Sequence, residues 1–535
     1  MSSSEYSADE KLPSDKDLEK NVVNVEKRSV DLDKSSVDLE KGPPPILEDV
    51  EGIRDEPLAR HETDVAHLMN LGEGIVGWDS RQDPQNPLNW PAPKRRIVMA
   101  LISMITFCSP LGSSIFAPGI TYTMAELHET SQAIGSLMIT IYLLGYALGP
   151  LFLSPLSEIY GRYIVIVIST WTFNVFLLGC GFVHSMPGLI VLRLLAGTGG
   201  SAVMAIAPAI VADLYHIERR GFAMGIVFII QCLSPAIGPI CGGFIAQQLG
   251  WRWAYWILLI ASGVVTTIIT FVMPECYAPT VLDRKTKRLR KELGRNDLRS
   301  VLALPVTKGE LMKRSLIRPM KLLTRSPIVF LFSLYVATIY GMLYLCFTTI
   351  PSVYSDQYGW SIEFTGLVYI SFGIGMFCSL LVIMKTSDST MIKMRKKNGG
   401  VFEPEMRLPY TIYFAVLTGP GLLVYGWTAD KHVHWIVPML GLIPFGFGMV
   451  GLFTSCQTYI VDSFTRYAAS AIAATTCLRS LVGAFLPFAG PPLFASLGLG
   501  WGNTLLGGIA IIMCPLPVLF YKYGRIVRER FPVEL

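Results

Sequence analysis

A chain of 535 residues that is 51% hydrophobic and only 16% charged, with a mean hydropathy of +0.46, carries more apolar surface than a soluble core of that size buries. This excludes an ordinary soluble protein and points to a chain embedded in a membrane. The net charge of +5, from 45 basic and 40 acidic residues, does not signal a nucleic-acid partner, because the basic residues fall in the connections between apolar runs.

Residues 1–80 mix Ser, Asp, Glu and Lys with few aromatics, a composition that predicts a disordered cytoplasmic tail. The tail holds a near-repeat, Ser29 to Lys34 against Ser36 to Lys41, whose serines are candidate phosphorylation sites. Polar for its first 90 residues, the chain does not open like a secretory signal. From residue 97 onward, apolar runs long enough to cross a hydrocarbon core of about 30 Å recur between short polar connections. They predict helices near 97–118, 131–153, 164–183, 187–212, 222–246, 252–273, 327–350, 363–384, 410–428, 435–461, 468–495 and 502–521. The expected fold is an all-α membrane protein of twelve transmembrane helices in two six-helix bundles, 81–276 and 327–523. A basic linker, 277–326, joins them, and a cytoplasmic tail, 524–535, follows. The linker opens on Arg284-Lys285-Thr286-Lys287-Arg288 and reads as an amphipathic segment facing lipid.

Lys94 to Arg96, Arg162, Arg219-Arg220, residues 284–325, Lys393 to Lys397 and Lys522 to Arg530 all fall on one side of this arrangement, and only Arg252 and Lys431 on the other. The positive-inside rule puts both termini in the cytoplasm. The ten cysteines are scattered singly, with no CxxC pair and no histidine at metal-ligand spacing, and read as small buried hydrophobes. Val211-Ala212-Asp213 resembles Ile460-Val461-Asp462, and Gln231 to Pro239 matches Arg479 to Pro487, both at an offset of about 248, which supports a duplicated half.

Enzyme motifs are missing: there is no GxxxxGK[ST], HExxH or GxSxG, and the single GxGxxG, at Gly446, Gly448 and Gly451, lies inside an apolar helix where it serves packing. A carrier needs something else: bundles that rock, a polar or aromatic cavity and charged latches at the ends. The candidate latch is the turn from Gly149 through Pro155, Glu158 and Gly161 to Arg162, with Glu158 placed to face the positive end of the third helix. Arg162 is then free to pair with Glu158 or with an acid of the other half. A plain solvated turn is the alternative. Arg193 lies some six residues inside the outer end of the fourth helix, about 10 Å deep at 1.5 Å per residue, where a guanidinium needs a cavity, a partner or a route to the surface. In the fifth helix, Gly238-Pro239-Ile240-Cys241-Gly242-Gly243 predicts bending and close packing. Tyr340, Tyr344 and Phe347 share one face of the seventh helix; such a face suits an organic cation or an apolar drug, and equally a lipid or helix contact.

These strings resemble the major facilitator superfamily, in the form found in its fungal twelve-helix drug and polyamine antiporters. Gly149 to Arg162 resembles the loop signature, with Tyr163 where a second basic residue is common. Arg193 with Gly197 and Gly200 resembles the fourth-helix motif, and Gly238 to Gly243 the antiporter motif. Asp83 to Trp90, Pro274 to Pro279, Arg407 to Pro409 and Ser470 to Ala474 match the same group. The resemblance implies a monomer exporting organic cations, including polyamines such as spermidine and spermine, or amphiphilic drugs, by exchange with protons. It implies no cofactor beyond the proton gradient, and partners limited to the bilayer and a small-molecule substrate. It assigns proton coupling and gating to Glu158, Arg162, Arg193, Asp213 and Asp462, and packing to Gly149, Gly161, Gly197, Gly200, Gly238, Pro239, Gly242 and Gly243. No carboxylate falls in mid-helix, and Gln231, Tyr340, Tyr344 and Arg479 are the candidate cavity residues. A nutrient facilitator or symporter and a non-transporting sensor are the alternatives. The plasma membrane is the expected location, with a vacuolar or endoplasmic-reticulum membrane as the other options.

Overall fold

The computed structural model describes residues 69–303, 307–464 and 468–531; the near-repeat at 29–41 and the side chains of Arg219 and Arg220 lie outside the described residues. Spanning helices α1 (Ala92–Ser114), α2 (Gln132–Tyr160), α3 (Arg162–Phe182), α4 (Met186–Leu214), α5 (Ile217–Gln248) and α6 (Arg252–Val272) form the first half. The second half holds α7 (Pro327–Tyr358), α8 (Tyr369–Lys397), α9 (Leu408–Asp430), α10 (Ile436–Ser463), α11 (Ala468–Phe485) and α12 (Gly490–Met513), followed by a terminal helix, Pro515–Arg530. Among the described residues, eleven stretches are long and apolar enough to cross a bilayer, and the longest, Ser470–Arg530, is broken at Gly498 into two, which gives twelve passes. Gly498 sits at φ +73°, a conformation that glycine adopts without a Cβ penalty; the residues before it prolong α11 and those after it begin the last span. The predicted eleventh helix thus contains a 3₁₀ turn at Leu486–Ala489, where Pro487 cannot donate to the helical ladder.

The two halves repeat each other's packing. In the first, α1 lies on α5, α2 on α4, α3 on α4 and α3 on α6; in the second, α7 lies on α11, α8 on α10, α9 on α10 and α9 on α12. Between halves, α2 packs on α11 and α5 on α8. Proline interrupts several spans, Pro110 in α1 and Pro235 and Pro239 in α5 among them, yet the helices continue through them.

Two expectations about the segments outside the membrane are corrected. The tail was expected to stay disordered to residue 80, but Ile75–Val76 pairs as a parallel strand, β1, with Arg299–Ser300, β2, of the linker. Val76 and Trp78 are buried, Lys285 donates to the Gly77 carbonyl, and it pairs with Asp79 at 2.8 Å. Apolar Ile75, Val76 and Trp78 interrupt the polar run and have linker surface to cover them. The linker, read as facing lipid, also packs on protein. Its helix Ala278–Leu293 buries Leu282 and Thr286, and its helix Lys308–Arg325 packs on both α2 and α11. The cysteines also divide: six are buried, but Cys241 and Cys378 are exposed on spanning helices, where apolar solvent removes the reason to hide a thiol.

The string Asp83 to Trp90 is a self-capped knot leading into α1. Asp83 accepts from the backbone N–H groups of Asp79 (3.0 Å) and Gln85 (2.8 Å), Asn86 caps the turn at Leu88, and Asn89 donates to the Arg81 and Asp83 carbonyls. Lys94 covers the buried Trp90 ring at 3.8 Å.

Candidate functional site

A cavity lies between the halves. Its wall takes Pro110 from α1, Tyr146 from α2, Met204 from α4, Gln231 and Pro235 from α5, Tyr340 and Tyr344 from α7, Met376 from α8, Phe453 from α10 and Arg479 from α11. All four candidate cavity residues therefore share one wall. The Tyr340 and Tyr344 rings lie 5.0 Å apart, Phe347 meets Tyr344 edge-on behind them, and the Tyr344 hydroxyl reaches across to Ser113 of α1 at 2.8 Å. The lining is largely apolar and aromatic, and it includes no Asp or Glu.

At the end nearest the linker, the latch is built from other partners than expected. Arg162 pairs with Asp213 of its own half, Nε to Oδ2 at 3.2 Å, rather than with Glu158 or an acid across the halves. It also donates to Ser157 and stacks 4.5 Å from the Tyr277 ring. Glu158 instead faces a pocket shared with Asp283, Arg284, Lys287 and Arg290 of the linker. Its anticipated place at the start of α3 is taken by Glu275, which accepts from the backbone N–H groups of Arg162 (3.0 Å), Cys276 (3.1 Å) and Tyr277 (3.0 Å). A carboxylate there favours the positive helix end, and the turn of chain leaving α6 delivers it. Burial and the neighbouring carboxylates push the Cys276 thiol well above its ordinary range, so it is inert.

Gly161 makes room for that carboxylate. It lies at φ +103°, and a Cβ there would overlap Glu275. Gly161→Ala is expected to add about 1–3 kcal/mol of backbone strain and to unseat Glu275. The check is the unfolding temperature in detergent, which should drop clearly below wild type; an unchanged value would sink this account.

The second half repeats the device. Arg407, just before α9, pairs with Asp462 at 3.0 Å, so Arg162 with Asp213 and Arg407 with Asp462 form matched pairs. The buried Glu405 pairs with Arg528 of the terminal helix at 3.2 Å. Arg407, Glu405 and Glu275 were not singled out as site residues. Arg407 lies 245 residues after Arg162, a few residues short of the offset that matched Asp213 to Asp462, so a search near that offset for a basic residue would have found it, whereas the capping role of Glu275 needs the tertiary fold.

Arg193 is enclosed within the first half and is not part of the cavity wall. It donates to the Ile139 carbonyl (3.1 Å) and the Tyr255 hydroxyl (3.3 Å), with the Phe116 ring 4.5 Å away. Among the described residues it has no carboxylate partner. The small residues beside it close the bundle: a Cβ on Gly197 would overlap the Tyr142 carbonyl, one on Gly149 would overlap the Ser201 hydroxyl, and one on Gly200 would come within 2.6 Å of the Tyr142 hydroxyl.

Away from the linker, the halves seal. Thr140 of α2 donates to the Ala484 carbonyl at 2.8 Å, and Gly366 lies against the Pro239 carbonyl. A Cβ on Gly243 would stand 2.9 Å from the Glu363 carbonyl. Gln247 accepts from the Glu363 N–H, and Gln248 donates to its side chain at 2.8 Å. Gly238 and Gly242 face the other way, against Ser114 and Ile115 of α1. The cavity residues all lie on the linker side of this seal in their helices.

Outside the seal, Glu126 bonds to Arg252 and accepts from Trp251 Nε1 at 2.7 Å. The Arg252 bond, then the Trp251 bond, holds the Glu126 carboxyl below its ordinary 4.5. A lowered folded-state value stabilises the fold above pH 4.5, and that stabilisation is lost as pH falls through the lowered value. With both side chains partly exposed, the contribution is no more than about 1 kcal/mol. Glu126→Gln should accordingly lower the unfolding temperature slightly at pH 7 and converge with wild type at pH 3; a constant gap at both pH values would refute it.

A match to the Major Facilitator Superfamily runs over residues 102–487. The MFS-type transporter penM of Penicillium rubens is 44% identical over 85% of this chain and 89% of its own length. The efflux pump radE of Floropilus chiversii is 42% identical over 86% of each. The partially occluded inward-open conformation of the xylose transporter XylE from E. coli has a TM-score of 0.59 at 14% identity, covering 80% of this chain and 99% of that one, a likeness of fold.

Proposed function

This chain belongs to the major facilitator superfamily, and from that premise we propose that it exports amphiphilic organic molecules from the cytosol by alternating access, in exchange for protons. The observation that carries the reading is the apolar, aromatic cavity between two halves that meet closely away from the linker. The positive-inside rule supports reading the basic linker end as the cytosolic one, with the cavity on the cytosolic side of the seal. Export also agrees with a relative named as an efflux pump.

Of the two substrate classes expected from the resemblance, the amphiphile is the better supported. A polyamine needs carboxylates, and the wall offers Arg479 instead. An arginine does not release its proton, so Arg162, Arg193 and Arg407 can only respond to one. We assign the proton to Asp213 and Asp462, whose neutralisation weakens their pairs with Arg162 and Arg407. In liposomes with a trapped pH dye, amphiphilic drugs should move protons and spermidine should not. Asp213→Asn with Asp462→Asn should keep substrate counterflow but lose proton-driven accumulation. Proton movement on spermidine alone, or unaltered accumulation in the double variant, would defeat the respective half of the proposal.

A further inference from the structure

We infer that Arg479 is an anion-binding residue of the central cavity and that the exported amphiphile is an organic acid, seated with its acidic group on the guanidinium. This rests on the carrier reading above and names the substrate class of that same cavity. Arg479 is only 7% exposed, yet none of its N–H donors meets a protein acceptor among the described residues, and its Nε is wholly buried. The guanidinium carbon lies 4.6 Å from the centre of the Tyr340 ring and 4.7 Å from that of Phe453. Ring contacts of this kind stabilise a cation through its faces and leave its edge, where the five donors lie, unsatisfied. Arg479 lines the cavity, and the cavity is the space beside it that could hold an acceptor.

A guanidinium at this depth, with no counter-charge in the wall, requires an acceptor from elsewhere. A planar carboxylate meets it with two parallel hydrogen bonds, the strongest pairing available to arginine. The rest of the lining, including Ile339, Leu343, Met376 and Val450, suits an aromatic or hydrocarbon body. A cationic substrate would instead enter against a fixed positive charge. Arg193, the other deep arginine, already donates to a carbonyl and a hydroxyl and stands outside this wall.

The test uses the full-length purified protein and two probes that differ only in charge, 2-naphthylacetate and 2-naphthylacetamide, with binding measured by calorimetry at pH 7.5. Wild type should bind the acid about tenfold more tightly than the amide, as charge-assisted pairing predicts. In Arg479→Gln that preference should vanish while amide binding persists, which also reports a folded cavity; Arg479→Lys should keep part of the preference. Equal affinity of wild type for the two probes, or a preference retained in Arg479→Gln, overturns the inference and leaves the carrier reading standing. Failure of either probe to bind wild type counts against the amphiphile reading and removes the inference with it.

Discussion

Gly243→Val should yield a folded, membrane-inserted protein that no longer transports, while the same change one residue earlier, Gly242→Val, should leave almost no folded protein. The two glycines face different partners. A Cβ on Gly242 would overlap the Ile115 carbonyl of α1, a contact inside the first half that exists in every state of a rocking carrier. Backbone cannot move aside as a flexible side chain does, so the cost is at least the roughly 1–3 kcal/mol of ordinary overpacking, spread along an interface that small residues make close. A Cβ on Gly243 would sit 2.9 and 3.0 Å from the carbonyls of Glu363 and Ile362, a contact across the halves. Valine there props the seal open without disturbing either bundle. Fluorescence-detected size exclusion should show a normal monodisperse peak for Gly243→Val and loss of the peak for Gly242→Val. Transport at wild-type rate by Gly243→Val would mean that this seal is not part of the cycle.

The second expected result is a reversible arrest. A Cβ built on Gly373 of α8 stands 3.3 Å from the Cβ of Ala236 of α5, close to the spacing of about 3.5–4.5 Å that a disulfide spans. Ala236→Cys with Gly373→Cys, oxidised in vesicles, ties the halves together at the inner margin of the seal. Transport should fall to the level of empty vesicles and recover on reduction. Each single variant serves as the control for native Cys232, Cys241 and Cys378, which neighbour these positions in sequence. A cross-linked protein that still transports at full rate would show that the cavity empties without parting α5 from α8.

The twelve passes were legible because the apolar runs are long and the connections polar, and even the turn at Gly498 fell within a predicted loop. Gln231, Tyr340, Tyr344 and Arg479 could be picked out because polar or aromatic groups deep in a spanning helix are costly unless they face a cavity. What the sequence withheld was partner choice. Glu158 and Arg162 are four residues apart in a tight turn, and local reasoning joins them. The fold brings in Asp213 and Glu275 from the ends of α4 and α6, which no spacing rule connects to α3. The segment at 69–80 was misjudged for a similar reason, since a composition too poor to make its own core can still be covered by a linker more than 200 residues away.

The seal itself consists of carbonyl oxygens against glycines, one threonine hydroxyl and two glutamine amides, with no ion pair among the described residues bridging the halves there. Dissolved salt screens charge and, the Gln248 bond to the Glu363 carboxylate apart, leaves such contacts untouched. How often these contacts part is therefore governed more by temperature and by the lateral pressure of the surrounding lipid than by whether the solution bathing them is dilute or briny.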